Sequence, residues 1–234
     1  MLREELKSKR KKCIIGTGAM SDPYIPLEAE LQYTRRCLME IAEQGFGLAI
    51  QTKSKLILRD LDLLQEINRN ARCVVQMTLT TYNESLCKLL EPDVCGTAER
   101  VEVLQILHDN HIPTVVWLCP ILPFINDTED NLRGILGYCR EVGVRGILNF
   151  GIGMTLREGN REYFYAKLDQ HFPLLRQRYV RSYGNSYILN SPNHKSLMRI
   201  FNAYCDEAGI LYGENRIFAY LRQWEPDAEQ LEIF

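Results

Sequence analysis

The chain has 234 residues, a net charge of −2, 46% hydrophobic residues and 25% charged residues. That composition is globular, with enough apolar surface to offset the ordering entropy, and it excludes disorder for most of the chain. No run approaches the ~18 uncharged apolar residues of a membrane span, and the near-neutral charge does not support a nucleic-acid surface.

The start, MLREELKSKRKK, is charged, has no apolar core and does not read as a secretory signal. Its basic run from Lys7 to Lys12 suits the C-terminal turn of a first helix. Short apolar, β-branched runs then predict buried parallel strands at 13–17, 47–52, 73–79, 114–118 and 146–150. Amphipathic stretches over 27–43, 60–70, 97–110 and 128–142 predict helices between them. Thr97 with Glu99, and Asp127-Thr128 with Glu129, mark helix starts; Asn110 and Gly143 mark ends. This alternation predicts an α/β fold, with a parallel sheet and helical crossovers. Beyond residue 160 the pattern turns helical, through 174–183, 194–208 and 214–224, the last ending before Pro226. No linker or composition break separates this appendage from the rest.

The eight cysteines (Cys13, Cys37, Cys73, Cys87, Cys95, Cys119, Cys139 and Cys205) form no CxxC pair, and several sit in apolar runs. They read as free thiols of a reducing, cytoplasmic compartment. The glycosylation patterns at Asn83 and Asn126 therefore read as chance.

In a parallel α/β sheet the site lies at the C-terminal strand ends. The chain has no P-loop, and both Gly16-Thr-Gly18 and Gly151-Ile-Gly153 lack the third glycine of a dinucleotide fingerprint. No HExxH or paired-Cys zinc site is present, and none of the four histidines stands at a strand end. Polar strand tips remain. Lys53, between Thr52 and Ser54, either reaches a ligand carboxylate or ribose oxygen or is a rim lysine. Asp22, in a Pro-containing turn, either accepts from a ligand amine or caps its own turn. Thr78, Thr80 and Thr81 offer hydroxyls, but threonine is also a favoured strand residue.

Four segments in order carry a resemblance: Gly16-Thr-Gly-Ala-Met-Ser-Asp-Pro-Tyr-Ile-Pro-Leu-Glu28, Gln51-Thr-Lys-Ser-Lys-Leu-Ile-Leu-Arg-Asp60, Leu90-Glu-Pro-Asp93 with Glu99-Arg100, and Pro120-Ile-Leu-Pro-Phe-Ile-Asn-Asp127. Over about residues 13–150 the chain resembles the radical SAM superfamily, in its spore photoproduct lyase-like branch. The helical pattern makes 161–234 a C-terminal extension of the same domain, and the resemblance implies an incomplete (β/α) barrel over 1–160 with mostly parallel strands and S-adenosylmethionine bound at the open rim. It implies that Ser21 and Asp22 lie near the methionine amino group. Thr52 and Lys53 then lie near the carboxylate or ribose, Thr78 faces the cofactor, and Ile121 and Asn126 stand beside the adenine.

The family's CxxxCxxC loop, whose thiolates hold a [4Fe-4S] cluster that cleaves the cofactor, is missing. The first strand here is similar to the family's second, and Met1–Leu6 is similar to the helix after the cluster loop. Two accounts stay open: a chain truncated before that helix, or a degenerate paralogue that has lost the cluster. A cluster and an electron donor are expected only in a longer form with an upstream CxxxCxxC. The strand at 13–17 is expected to leave an open edge that invites self-association. Gly18, Ala19 and Met20 stand where the DNA-repair member carries a cysteine, so thymine-dimer repair is not supported.

Overall fold

The computed structural model of the chain describes residues 1–224; Pro226 and the end of the 161–234 segment lie outside the described residues. Five parallel strands lie side by side in sequence order: β1 (Ile14–Thr17), β2 (Gly47–Thr52), β3 (Cys73–Thr78), β4 (Thr114–Trp117) and β5 (Gly146–Leu148). Their register sets Gly16 beside Ala49, Gln51 beside Gln76, and Thr78 beside Trp117.

The crossovers are helical, as the 3.6-residue patterning predicts. After α1 (Leu2–Ser8) come α2 (Glu28–Leu31) and α3 (Tyr33–Glu43), a 3₁₀ helix (Lys55–Asp60) with α4 (Leu61–Asn70), α5 (Glu84–Leu90) with α6 (Thr97–Asp109), and α7 (Glu129–Glu141). The single helix expected over 27–43 is broken at Gln32, which takes a left-handed φ of 51°. The buried Glu28 carboxylate stabilises the restart, accepting from the free N–H groups of Thr34 and Arg35 at 3.0 and 3.4 Å. Helix α5 is absent from the sequence reading. It is capped by Asn83, whose Oδ1 accepts from Leu86 N at 2.9 Å.

The last third adds β6 (Gly153–Thr155), α8 (Asn160–His171), α9 (Leu175–Tyr183), β7 (Ile188–Asn190), α10 (His194–Ala208), β8 (Leu211–Tyr212) and α11 (Glu214–Arg222). It is not purely helical. Strand β7 pairs antiparallel with β6, and β8 joins the main sheet beside β5 as a sixth parallel strand. Strands of two or three residues are too short to show a period in sequence. The sheet order β1-β2-β3-β4-β5-β8 leaves β1 and β8 at opposite ends, unclosed among the described residues.

Alternation along each strand divides the core. Leu48, Ile50, Val75, Met77, Val116 and Ile147 face outward and are sealed by α3, α4, α6, α7 and α10. Ala49, Val74, Val115 and Leu148 face inward and pack against Ile217, Tyr220 and Leu221 of α11. A satellite core of Tyr165, Leu168, Tyr179 and Leu189 holds α8 and α9 on the β6–β7 pair.

Helix α11 thus covers the base of the inner face. Ile217, which is fully buried, should cost about 2–5 kcal/mol when cut to alanine. Urea unfolding of Ile217→Ala against the parent chain measures this; a change within 0.5 kcal/mol, the ~0.5 kcal/mol typical of surface sites, would show that α11 does not support the sheet.

Candidate functional site

The inner face changes character toward the C-terminal strand ends. Above the apolar base, the next inward positions are Gln51, Gln76, Thr78 and Trp117. Trp117 Nε1 donates to Gln76 Oε1 at 2.8 Å, and Gln51 Nε2 donates to Thr78 Oγ1 at 3.3 Å. Gln51 Oε1 is buried without a hydrogen-bond partner among the described residues. A cavity of about 620 Å³ opens over this row, bounded by Gly16, Gln51, Gln76, Trp117 and Phe218. Both glutamines stand inside runs that read as apolar strands, where a single amide side chain in each run is the available signal.

The loop after β1 folds over this end of the sheet. Gly18 has φ +95°, and a Cβ there would lie 2.0 Å from Gln51 O, so the close approach needs glycine. Asp22 then locks the loop to β2. Its Oδ1 accepts from Tyr24 N at 2.9 Å and Thr52 Oγ1 at 2.7 Å, and its Oδ2 accepts from Lys53 N at 2.8 Å. Asp22 therefore caps its own turn and fixes the strand end; Thr52 is committed to it. The result is a groove of about 360 Å³ lined by Ser21, Asp22, Thr52, Lys53, Thr78 and Cys119. Burial pushes the Cys119 thiol up to about 11, with Lys53 pulling the other way.

Lys53 is held from below. Its ammonium pairs with Glu91, and Glu91 pairs with the buried Arg100 at 2.9 Å. Arg100 also donates to Thr78 O at 3.0 Å and Cys95 O at 2.8 Å. An ammonium has three donors, so the Glu91 contact leaves donor capacity for the groove. The first two resemblance segments meet in a second network, where Arg59 bridges Glu28 and Asp60 at 2.9 and 2.8 Å and Tyr24 donates to Asp60 at 3.1 Å. Sequence reasoning assigned no role to Glu91, Arg100, Glu28, Arg59 or Asp60 individually.

Five of the seven predicted residues, Ser21, Asp22, Thr52, Lys53 and Thr78, thus share one groove. Ile121 and Asn126 do not line it. Ile121 is packed in the outer core and donates its N–H to Gly153 O at 3.2 Å. Asn126 is buried, accepting from Leu122 N at 2.6 Å and donating to Thr80 O at 2.7 Å. Among the described residues no group of three Cys, His, Asp or Glu side chains gathers to hold a metal ion. The eight thiols, dispersed over the fold, do not fit an iron–sulfur cluster.

No protein-family model matches the chain. It is 32% identical over 128 residues to an uncharacterised protein of Methanocaldococcus jannaschii, covering 55% of this chain and 48% of that one. It is 26% identical over 202 residues to an uncharacterised protein of Mycobacterium tuberculosis, covering 85% and 58%. It is 30% identical over 159 residues to an uncharacterised protein of Acidianus two-tailed virus, covering 66% and 50%. The chain thus spans about half the length of the curated relatives it matches. Among solved structures it is similar to a spore photoproduct lyase mutant with bound AdoMet and dinucleoside spore photoproduct, with a TM-score of 0.62, 12% identity, and coverage of 90% of this chain and 63% of that one. This likeness is one of fold. Streptococcus suis SuiB bound to S-adenosylmethionine is also similar, with a TM-score of 0.53, 9% identity, and coverage of 86% and 38%.

The support under Lys53 makes a pH prediction. Burial raises the Glu91 carboxyl, but Arg100 and Lys53 outweigh it and hold Glu91 below the usual carboxylate range. A lowered acid contributes stability that is present above its unfolded value, about 4.3. That contribution is lost as pH falls through the folded value. Glu91→Gln should lower stability at pH 7 by about 2 kcal/mol and make the acid limb shallower. Urea midpoints between pH 3 and 7 read both effects, and an unchanged acid limb would remove Glu91 from this role.

Proposed function

We propose that the groove is an S-adenosylmethionine site and that the chain is the cofactor-binding barrel of a radical SAM-type iron–sulfur enzyme. The observation that carries this reading is the meeting of Ser21, Asp22, Thr52, Lys53 and Thr78 in one groove at the C-terminal edge of a parallel sheet. The chemistry of the donor set fits the cofactor. Lys53 offers a cation to its carboxylate or ribose, and Ser21 and Thr78 offer hydroxyls. Gln51 Oε1, unpartnered among the described residues, offers an acceptor to an N–H or O–H. Asp22 and Thr52 act by holding the loop and strand end in place, and the Glu91–Arg100 pair holds the lysine. When bound, S-adenosylmethionine supplies a carbon–sulfur bond open to reductive cleavage.

The dispersed cysteines favour a second reading for the described residues taken by themselves, a non-catalytic S-adenosylmethionine-binding module. In the enzyme reading, the cluster ligands and the electron donor's docking site belong to a longer form with a CxxxCxxC segment.

Calorimetric titration with S-adenosylmethionine tests the binding shared by both readings. Lys53→Ala should weaken it by about 1.5–3 kcal/mol, the range of a charge-assisted hydrogen bond. No saturable binding by the folded parent chain would sink both. Joining a CxxxCxxC segment and assaying for 5′-deoxyadenosine separates them, because only the enzyme reading expects product.

The edge of β1 adds a proposal about association. Among the described residues β1 has β2 on one side and no strand on the other; such an edge presents unpaired backbone groups and favours self-association. Sedimentation should show mass rising with concentration; a strictly monomeric chain at high concentration would refute it.

A further inference from the structure

A second cavity, of about 530 Å³, is lined by residues of α5 and α8 and shares Lys53 with the groove. Its volume lies in the range of small-molecule sites, roughly 300–1,000 Å³. Its inner end is made of buried Leu122, Asn126 and Leu168. Both polar ends of the Asn126 amide are already bonded to backbone, so this end presents mainly hydrocarbon. The mouth is different: Lys88 of α5 stands on one wall, and Lys167 and His171 of α8 on the other.

The charge balance is one-sided. Glu91 is the only acid among the described residues lining the cavity, and Lys53 and Arg100 neutralise it. Lys88 meets Glu84 at 3.5 Å in an exposed pair that solvent screens. Lys167 reaches Gln170 at 3.4 Å and the Tyr163 ring, both uncharged. An apolar inner end below a cationic mouth matches a ligand with the reverse polarity.

We propose that this cavity binds an amphipathic organic anion. Its apolar body sits on Leu122 and Leu168, and its carboxylate or phosphate lies at the mouth between Lys88 and Lys167. The two spaces share Lys53, and none of the groove's other lining residues lines this cavity; it is therefore treated as a site separate from the groove.

Calorimetric titration of the chain with decanoate and with decyl phosphate tests it, with decyltrimethylammonium as the control of equal chain length. One-to-one saturation by at least one anion is expected, about tenfold or more tighter than the cation. The tighter of the two anions identifies the head group. The double variant Lys88→Glu, Lys167→Glu changes two exposed side chains and should weaken anion binding by a similar factor, with circular dichroism unchanged. Saturation by neither anion, equal affinity for the cation, or an unaffected double variant would overturn the proposal. Displacement of the anion by S-adenosylmethionine would also overturn it, because the cavity would then belong to the groove. Loss of S-adenosylmethionine binding alone would leave this proposal standing and sink only the groove assignment.

Discussion

The in-register parallel pairing of β1 to β5 is the constraint on which the site depends. Side chains alternate across a strand, so register decides which residues of neighbouring strands share a face. Here it sets Ala49 beside Val74, Gln51 beside Gln76 and Val115, and Thr78 beside Trp117 and Leu148 on the inner face. The apolar members Ala49, Val74, Val115 and Leu148 give α11 a surface to cover. The polar members Gln51, Gln76 and Thr78 cannot be sealed by an apolar helix without losing hydrogen bonds. The inner face therefore stays open where its side chains are polar, and the groove forms there.

Charges near that opening are stabilised by partners at close range. Lys53, Glu91 and Arg100 run from the groove inward, and Arg100 continues to the carbonyl of Thr78. Glu28, Arg59 and Asp60 form a similar cluster beneath the first loop. Buried ions are costly alone and tolerable when paired and hydrogen-bonded. The consequence is geometric: the β1 loop, the end of β2 and the segment before α6 are cross-linked around the groove. Asp22 fits the same description, since both its oxygens accept from the protein and fix the loop that carries Ser21.

Much of the sheet was legible in the sequence. Five β-branched runs separated by capped amphipathic stretches read as β-α alternation, because buried parallel strands and crossover helices leave different periods. The break at Gln32 was not legible, since it depends on Glu28 capping the restarted helix. Neither was β8, whose two residues become a strand only because β5 offers an edge at Gly146 and Ile147. In the groove, Lys53 and Asp22 stood out as charged residues directly after strands or in turns. Glu91 and Arg100 are far from Lys53 in sequence, and only the fold brings them beneath it.

The sequence by itself determined the order of elements, the parallel class of the sheet and the strand ends at which polar side chains collect. These follow from local periodicity and turn chemistry, which each segment carries independently of the others. Tertiary structure alone decided that Gln51 faces inward with an oxygen unpartnered among the described residues, and that Asp22 serves its own loop. It also decided that Asn126 and Ile121 lie outside the groove, while Lys53 rests on a buried Glu91–Arg100 pair. Each of these depends on register, on burial or on contacts between residues distant in the chain, and no local pattern encodes them.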